Sequence, residues 1–178
     1  MSGPGREAAL FPYQAYWCEE NVWQLAHQDA TRADERFVVL LTGASGRVAC
    51  WEQKAGAPGE PVLWDYHVVL AVKTDAFAIW DLDSRLGMPV PATHYLEKTF
   101  PFPRAVPEAF QPRFACVDAQ LYLSTFGSDR AHMRDRQGLW RQPPPPWPPI
   151  EGRGLTLAGL ISDARNGYDL AALQRVLT

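Results

Sequence analysis

Between Arg36 and Asp83 four runs dense in β-branched and aromatic residues follow one another: RFVVLLT (36–42), RVACWEQ (47–53), PVLWDYHVVLAV (61–72) and FAIWDLD (77–83). Gly43, Gly46 and the GAPGEP stretch (56–61) punctuate them. Branched and aromatic side chains suit a pleated surface, and Gly/Pro breaks between such runs signal turns. The pattern therefore predicts one antiparallel sheet, each strand joined to the next by a short turn. Helical patterns surround it. From Cys18 to about Gln28, Val22, Leu25 and Ala26 fall on one stripe, with Glu19 and Glu20 in the first turn, where acidic side chains complement the helix dipole. Further helices are expected near His94–Phe100, Asp118–Phe126, Leu155–Ser162 and Tyr168–Leu177, with an added strand at Arg113–Val117. The expected class is α+β.

The chain has 178 residues, the size of one domain with a real core. We expect a single catalytic domain over 1–178, with residues 1–12 as a loose N-terminal tail. Net charge is −3 and no basic stripe stands out, which argues against nucleic acid as a partner. No polybasic cluster suggests a membrane surface, and no apolar run approaches the roughly 18 residues of a span. No signal-peptide pattern opens the chain. Three cysteines, at 18, 50 and 116, are an odd number without a CxxC pair. That is neither a disulfide framework nor a structural zinc site, and it fits a reducing, cytoplasmic setting. Four prolines (143–146) followed by Trp147, Pro148 and Pro149 form an extended segment. With Trp140 and Trp147 flanking it, we expect a stiff strap packed on the body.

Cys18 is the first residue of chemical interest. At a helix start, backbone N–H groups and the dipole favour a thiolate. Glu19 and Glu20 oppose this, so a cationic partner is required, usually a histidine. His67 lies within WDYHVVL; strand alternation puts Asp65 and His67 on one face and Trp64, Tyr66 and Val68 on the other. WDLD ends the next run, with Asp81 and Asp83 on a shared face. If these two strands pair as a hairpin, either aspartate reaches the histidine and orients it. A buried small cysteine and a satisfied core histidine are the blander alternatives. Cys50 and Cys116 read as core, His27 as a helix-end cation, His94 as surface and His132 as part of a salt-bridged loop.

A longer pattern supports the chemical reading. YWCEENVWQL (16–25), PVLWDYHVVL (61–70), WDLDSRL (80–86), FGSDRAHMRD (126–135) and WRQPPPPWP (140–148) stand in the order found in the protein N-terminal glutamine amidohydrolase family, which the chain resembles from about Tyr13 to its last helix. The resemblance implies deamidation of an N-terminal glutamine to glutamate by a Cys-His-Asp triad, carried by Cys18, His67 and Asp81, and it selects Asp81 over Asp83. It implies an α-β-α sandwich around a mainly antiparallel sheet, related to papain-like and transglutaminase-like cysteine hydrolases. No metal or organic cofactor is expected. The partners implied are proteins or peptides with a free N-terminal glutamine, met by a monomer. Such a substrate needs an acceptor for its α-ammonium; Glu20 and Asp65 are candidates, and Trp64, Tyr66 and Trp17 are candidates to shape the glutamine slot.

Overall fold

The computed structural model describes residues 10–178. Strand β1 (Glu35–Gly43) is the axis of a five-stranded sheet. It pairs on one side with β4 (His67–Lys73) and on the other with β7 (Pro112–Asp118). Outside β4 lie β5 (Phe77–Trp80) and the edge pair β6 (Val90–Pro91). Every pairing is antiparallel, in the order β6-β5-β4-β1-β7.

The expected single sheet is corrected in one respect. Strands β2 (Val48–Cys50) and β3 (Val62–Trp64) form a separate two-stranded ribbon, so β1 takes β4 as its neighbour rather than β2. The run 61–72 is broken at Asp65 and Tyr66. Thr42 Oγ1, buried at the end of β1, donates to the Asp65 carbonyl at 2.7 Å and holds the chain there. Likewise FAIWDLD is strand only to Trp80, and Asp81–Ser84 form a turn closed by Ser84 N–H to Asp81 C=O at 3.2 Å.

The central strands are apolar on both faces because both are covered. Val38, Leu40, Val68, Leu70 and Val72 pack against α1 (Cys18–Ala26), α3 (Ala119–Thr125) and α4 (Leu157–Arg165). Val39, Leu41, Val69, Ala71 and Ile79 pack against α2 (Ala92–Thr99) and α5 (Leu170–Val176). Helices α3, α4 and α5 are capped by Asp118, Thr156 and Asp169, each accepting a backbone N–H in the first turn. The fold is thus mixed α/β around an antiparallel sheet. No helix among the described residues is long and apolar enough to cross a membrane.

The proline segment is a packed strap. Trp17 Nε1 donates to the Pro143 carbonyl at 2.8 Å, and Pro145 and Ile150 are buried. Beyond it the chain runs so close to the end of α3 that a Cβ on Gly152 would stand 2.0 Å from the Phe126 carbonyl oxygen. Of the tail expected over 1–12, residues 1–9 lie outside the described residues, and Phe11 packs edge-on against Trp80.

Candidate active site

Cys18 is the first residue of α1, and no side chain caps that helix. The amide of Cys18 is therefore not held by a side-chain cap, as at uncapped helix starts. The chain reaches Cys18 through Tyr16, which holds the left-handed φ of 69° that non-glycine residues seldom adopt. The thiol is nearly buried and borders a cavity of about 400 Å³ with His67, Trp64, Tyr66 and Asp83.

His67 opens β4 opposite Leu41. Its Nε2 lies 2.9 Å from Asp81 Oδ1. A carboxylate only accepts, so Nε2 carries a proton toward Asp81 and Nδ1 remains as the nitrogen available for proton exchange. Asp81 is held from four directions. Besides His67, Tyr95 Oη donates at 2.8 Å, Gln53 Nε2 at 3.3 Å and the Asp83 backbone N–H at 3.0 Å. Burial alone would raise its pKa, but His67, Tyr95 and the Asp83 amide bring it below the ordinary carboxylate range. Burial opposes charge on His67 too, yet Asp81, with Asp83 and Glu19, lifts the imidazole above its usual value. The Cys18 thiol is pushed well up, first by burial, then by Glu19 and Asp83; a hydrogen bond from the Val68 backbone acts the other way. A cysteine so placed rests as the thiol, and His67 borders the same cavity.

Residues 13–166, which include all of these groups, match the family described as N-terminal glutamine amidase. The chain belongs to that family. Relatives called protein N-terminal glutamine amidohydrolase are 36% identical to it over 156 residues in Bos taurus, spanning 84% of this chain and 74% of that protein. The Homo sapiens relative is 36% identical over 156 residues, covering 84% and 75%, and the Arabidopsis thaliana relative 35% over 156 residues, covering 81% and 70%.

Within this amidase-family site, the remaining expected residues sit as follows. Trp64 stacks on the His67 ring with centroids 5.6 Å apart and planes 13° apart, and its Nε1 donates to Gln53 Oε1 at 3.2 Å. Alternation had put Trp64 on the opposite face; the break after it turns the indole back. The same break separates Asp65 from His67: Asp65 is a rim residue with its side chain 80% exposed, 3.5 Å from Arg47. Tyr66 borders the cavity, with its hydroxyl 3.0 Å from Glu19 and 3.2 Å from His132. Glu20 does not border the cavity. Fully buried, it takes a bidentate pair from Arg130 at 2.8 and 2.7 Å and a bond from Trp147 Nε1 at 2.8 Å, so its oxygens are spent on the strap. Trp17 is buried beneath Trp140 and Arg130 rather than facing the slot.

Sequence reasoning missed Gln53 and Tyr95, which hold Asp81, and Glu19, which accepts from the Cys18 thiol at 3.7 Å. Asp83, expected as the alternative to Asp81, was placed near the site, but its bond from Tyr13 was not foreseen. The Glu-Glu pair after Cys18 and the WDLD string were the local signals. The ligand atoms of His67, Asp81 and Asp83 lie within 4.8 Å of one another, a spacing that suits a metal ion. Here Nε2 and Asp81 Oδ1 are spent on each other, so the set does not fit one.

Proposed function

We propose that the chain hydrolyses the side-chain amide of an N-terminal glutamine, in a protein or peptide, giving glutamate and ammonia. Cys18 is the nucleophile, His67 the base and acid, and Asp81 the group that orients and stabilises the imidazolium. One observation carries the reading: the buried His67–Asp81 pair opens onto the same cavity as a cysteine at an uncapped helix start. The names of its relatives and the family match support the substrate class. The pairing of a helix-borne cysteine with a strand-borne histidine also supports a papain-like or transglutaminase-like descent for this fold.

In the first step His67 Nδ1 takes the thiol proton as sulfur bonds to the amide carbon. Negative charge gathers on the amide oxygen, where the Cys18 amide at the uncapped start of α1 stabilises it; one such donor is worth about 3 kcal/mol. His67 then protonates the departing nitrogen, and ammonia leaves a γ-glutamyl thioester. In the second step His67 deprotonates a water, the C–S bond breaks, and the sulfur regains a proton. Asp81 stays ionised throughout. Trp64 and Tyr66 wall the slot, and the chain acts as a monomer on exposed protein ends.

The test is ammonia release from a peptide with N-terminal glutamine, beside its Nα-acetylated twin and a peptide with internal glutamine. Activity on the free N-terminal peptide alone, lost in Cys18→Ala, supports the proposal. Release from none of the three would overturn it, and equal release from all would make the chain a general glutamine deamidase.

A further inference from the structure

An enzyme confined to N-terminal glutamine must recognise a free α-ammonium. Within one glutamine that nitrogen stands at most about 5 Å from the amide carbon, three C–C bonds and one C–N bond away. The acceptor must therefore lie on the cavity wall close to Cys18. Four of the carboxylates near it are already engaged or open to water. Asp81 is saturated by its donors. Glu20 is spent on Arg130 and Trp147. Glu19 accepts from Tyr66 and lies 3.6 Å from His132. Asp65 is exposed and beside Arg47, where water screens its charge.

Asp83 differs from all of them. It is 8% exposed, yet it borders the cavity. Its Oδ1 accepts from the Tyr13 hydroxyl, while Oδ2 has no hydrogen-bond partner among the described residues. Lys54 does not fill that place: its Nζ donates to the Leu82 carbonyl at 2.9 Å and makes no ion pair with Asp83. Asp83 is close enough to Cys18 for its charge to act on the thiol. Asp83 Oδ2 is not sealed from the cavity, and a mostly buried carboxylate with one oxygen left to solvent gains a charge-assisted bond when a cation meets it.

We infer that Asp83 Oδ2 receives the α-ammonium of the substrate's N-terminal glutamine. The inference rests on the proposed reaction at Cys18 and adds its specificity device. An acetylated or internal glutamine brings no cation and leaves Asp83 unpaired beneath it, and sites with buried polar groups left unpaired discriminate strongly.

Asp83→Asn and wild type are compared on two peptides: one beginning with glutamine, the other with the 4-carbamoylbutanoyl group, which is glutamine without its α-amine. Measured at the pH plateau of each protein, so that the influence of Asp83 on Cys18 and His67 falls on both peptides alike, Asp83→Asn should lower kcat/KM on the glutamine peptide about 10²-fold more than on the desamino peptide, mainly through KM. A merely structural role would lower both alike, and that result, or no change in either, overturns the inference. So does collapse of the discrimination in Asp65→Asn instead. Asp83→Ala, with the same expected result, serves should the Asn variant not fold. A wild-type protein inert toward the glutamine peptide would sink the underlying reaction first, and this inference with it.

Discussion

His67 Nε2 and Asp81 Oδ1 stand 2.9 Å apart, with both side chains withdrawn from water. In Asp81→Asn an amide replaces the acceptor. Its carbonyl oxygen can still satisfy Tyr95, so the fold should survive. Its N–H group facing the ring would impose the wrong tautomer, with Nδ1 carrying the proton it should accept. Turnover should fall about 10³- to 10⁴-fold, read as ammonia release, with the urea midpoint only slightly lowered. Near-normal turnover would remove Asp81 from the chemistry.

The same pair fixes where the reaction titrates. Neutral His67 must take the thiol proton, so kcat/KM should rise with pH through His67's own titration. Burial would lower that value, but Asp81, then Asp83 and Glu19, bring it above the usual one of about 6.5. The acidic limb of the pH–rate profile should accordingly lie above about pH 6.5. Asp81→Asn removes the chief raising influence and keeps the burial, so the residual activity of that variant should show its limb at lower pH. A limb that stays in place in the variant would contradict this account.

That an aspartate of WDLD meets His67 was legible in the sequence because the contact is nearly local, two successive strands and a tight turn bringing residues fourteen apart together; the choice of Asp81 over Asp83 came from the family resemblance. The helix at Cys18 was legible from its apolar stripe. The break at Asp65 and Tyr66 was not, because nothing within WDYHVVL marks it; its cause is a hydrogen bond from Thr42, on another strand. That break invalidates alternation across it, which is why Trp64 lies on His67 and Asp65 on the rim. Gln53 and Tyr95 were illegible for a related reason: one comes from the segment after β2, bridged to Ser84, the other from α2. Glu20 was misassigned because its partners, Arg130 and Trp147, lie 110 and 127 residues away.

That distant partnership is itself testable. Arg130 clamps a fully buried Glu20 through two bonds and also donates to the Trp147 carbonyl at 2.9 Å, tying the strap to α1. Arg130→Ala strands a buried carboxylate, which costs about 3–5 kcal/mol. For a domain of this size that is a fall in Tm of roughly 6–20 °C. Arg130→Lys should rescue little of it, because an ammonium lacks the planar fork. Differential scanning calorimetry reads both, and a shift below about 2 °C in Arg130→Ala would mean the clamp is not formed in solution.

Glu19 tests how the nucleophile is held. The Cys18 thiol lies 3.7 Å from Glu19 Oε2, and after burial Glu19 is the largest influence raising its pKa. Glu19→Gln keeps the shape, and its amide can still accept from Tyr66 Oη, but the charge is gone. Alkylation of Cys18 by iodoacetamide, followed by peptide mass spectrometry to separate it from Cys50 and Cys116, should then reach its midpoint at lower pH than in wild type. The midpoint should remain above the ordinary thiol value of about 8.5, since burial persists. An unchanged midpoint would mean the carboxylate does not bear on the sulfur. The catalytic consequence follows from how the thiol loses its proton. If free thiolate limits the rate, Glu19→Gln should raise kcat/KM near neutral pH. If His67 takes the proton during attack, as proposed, alkylation should respond and kcat/KM should hardly rise, because Glu19 also helps keep His67 basic.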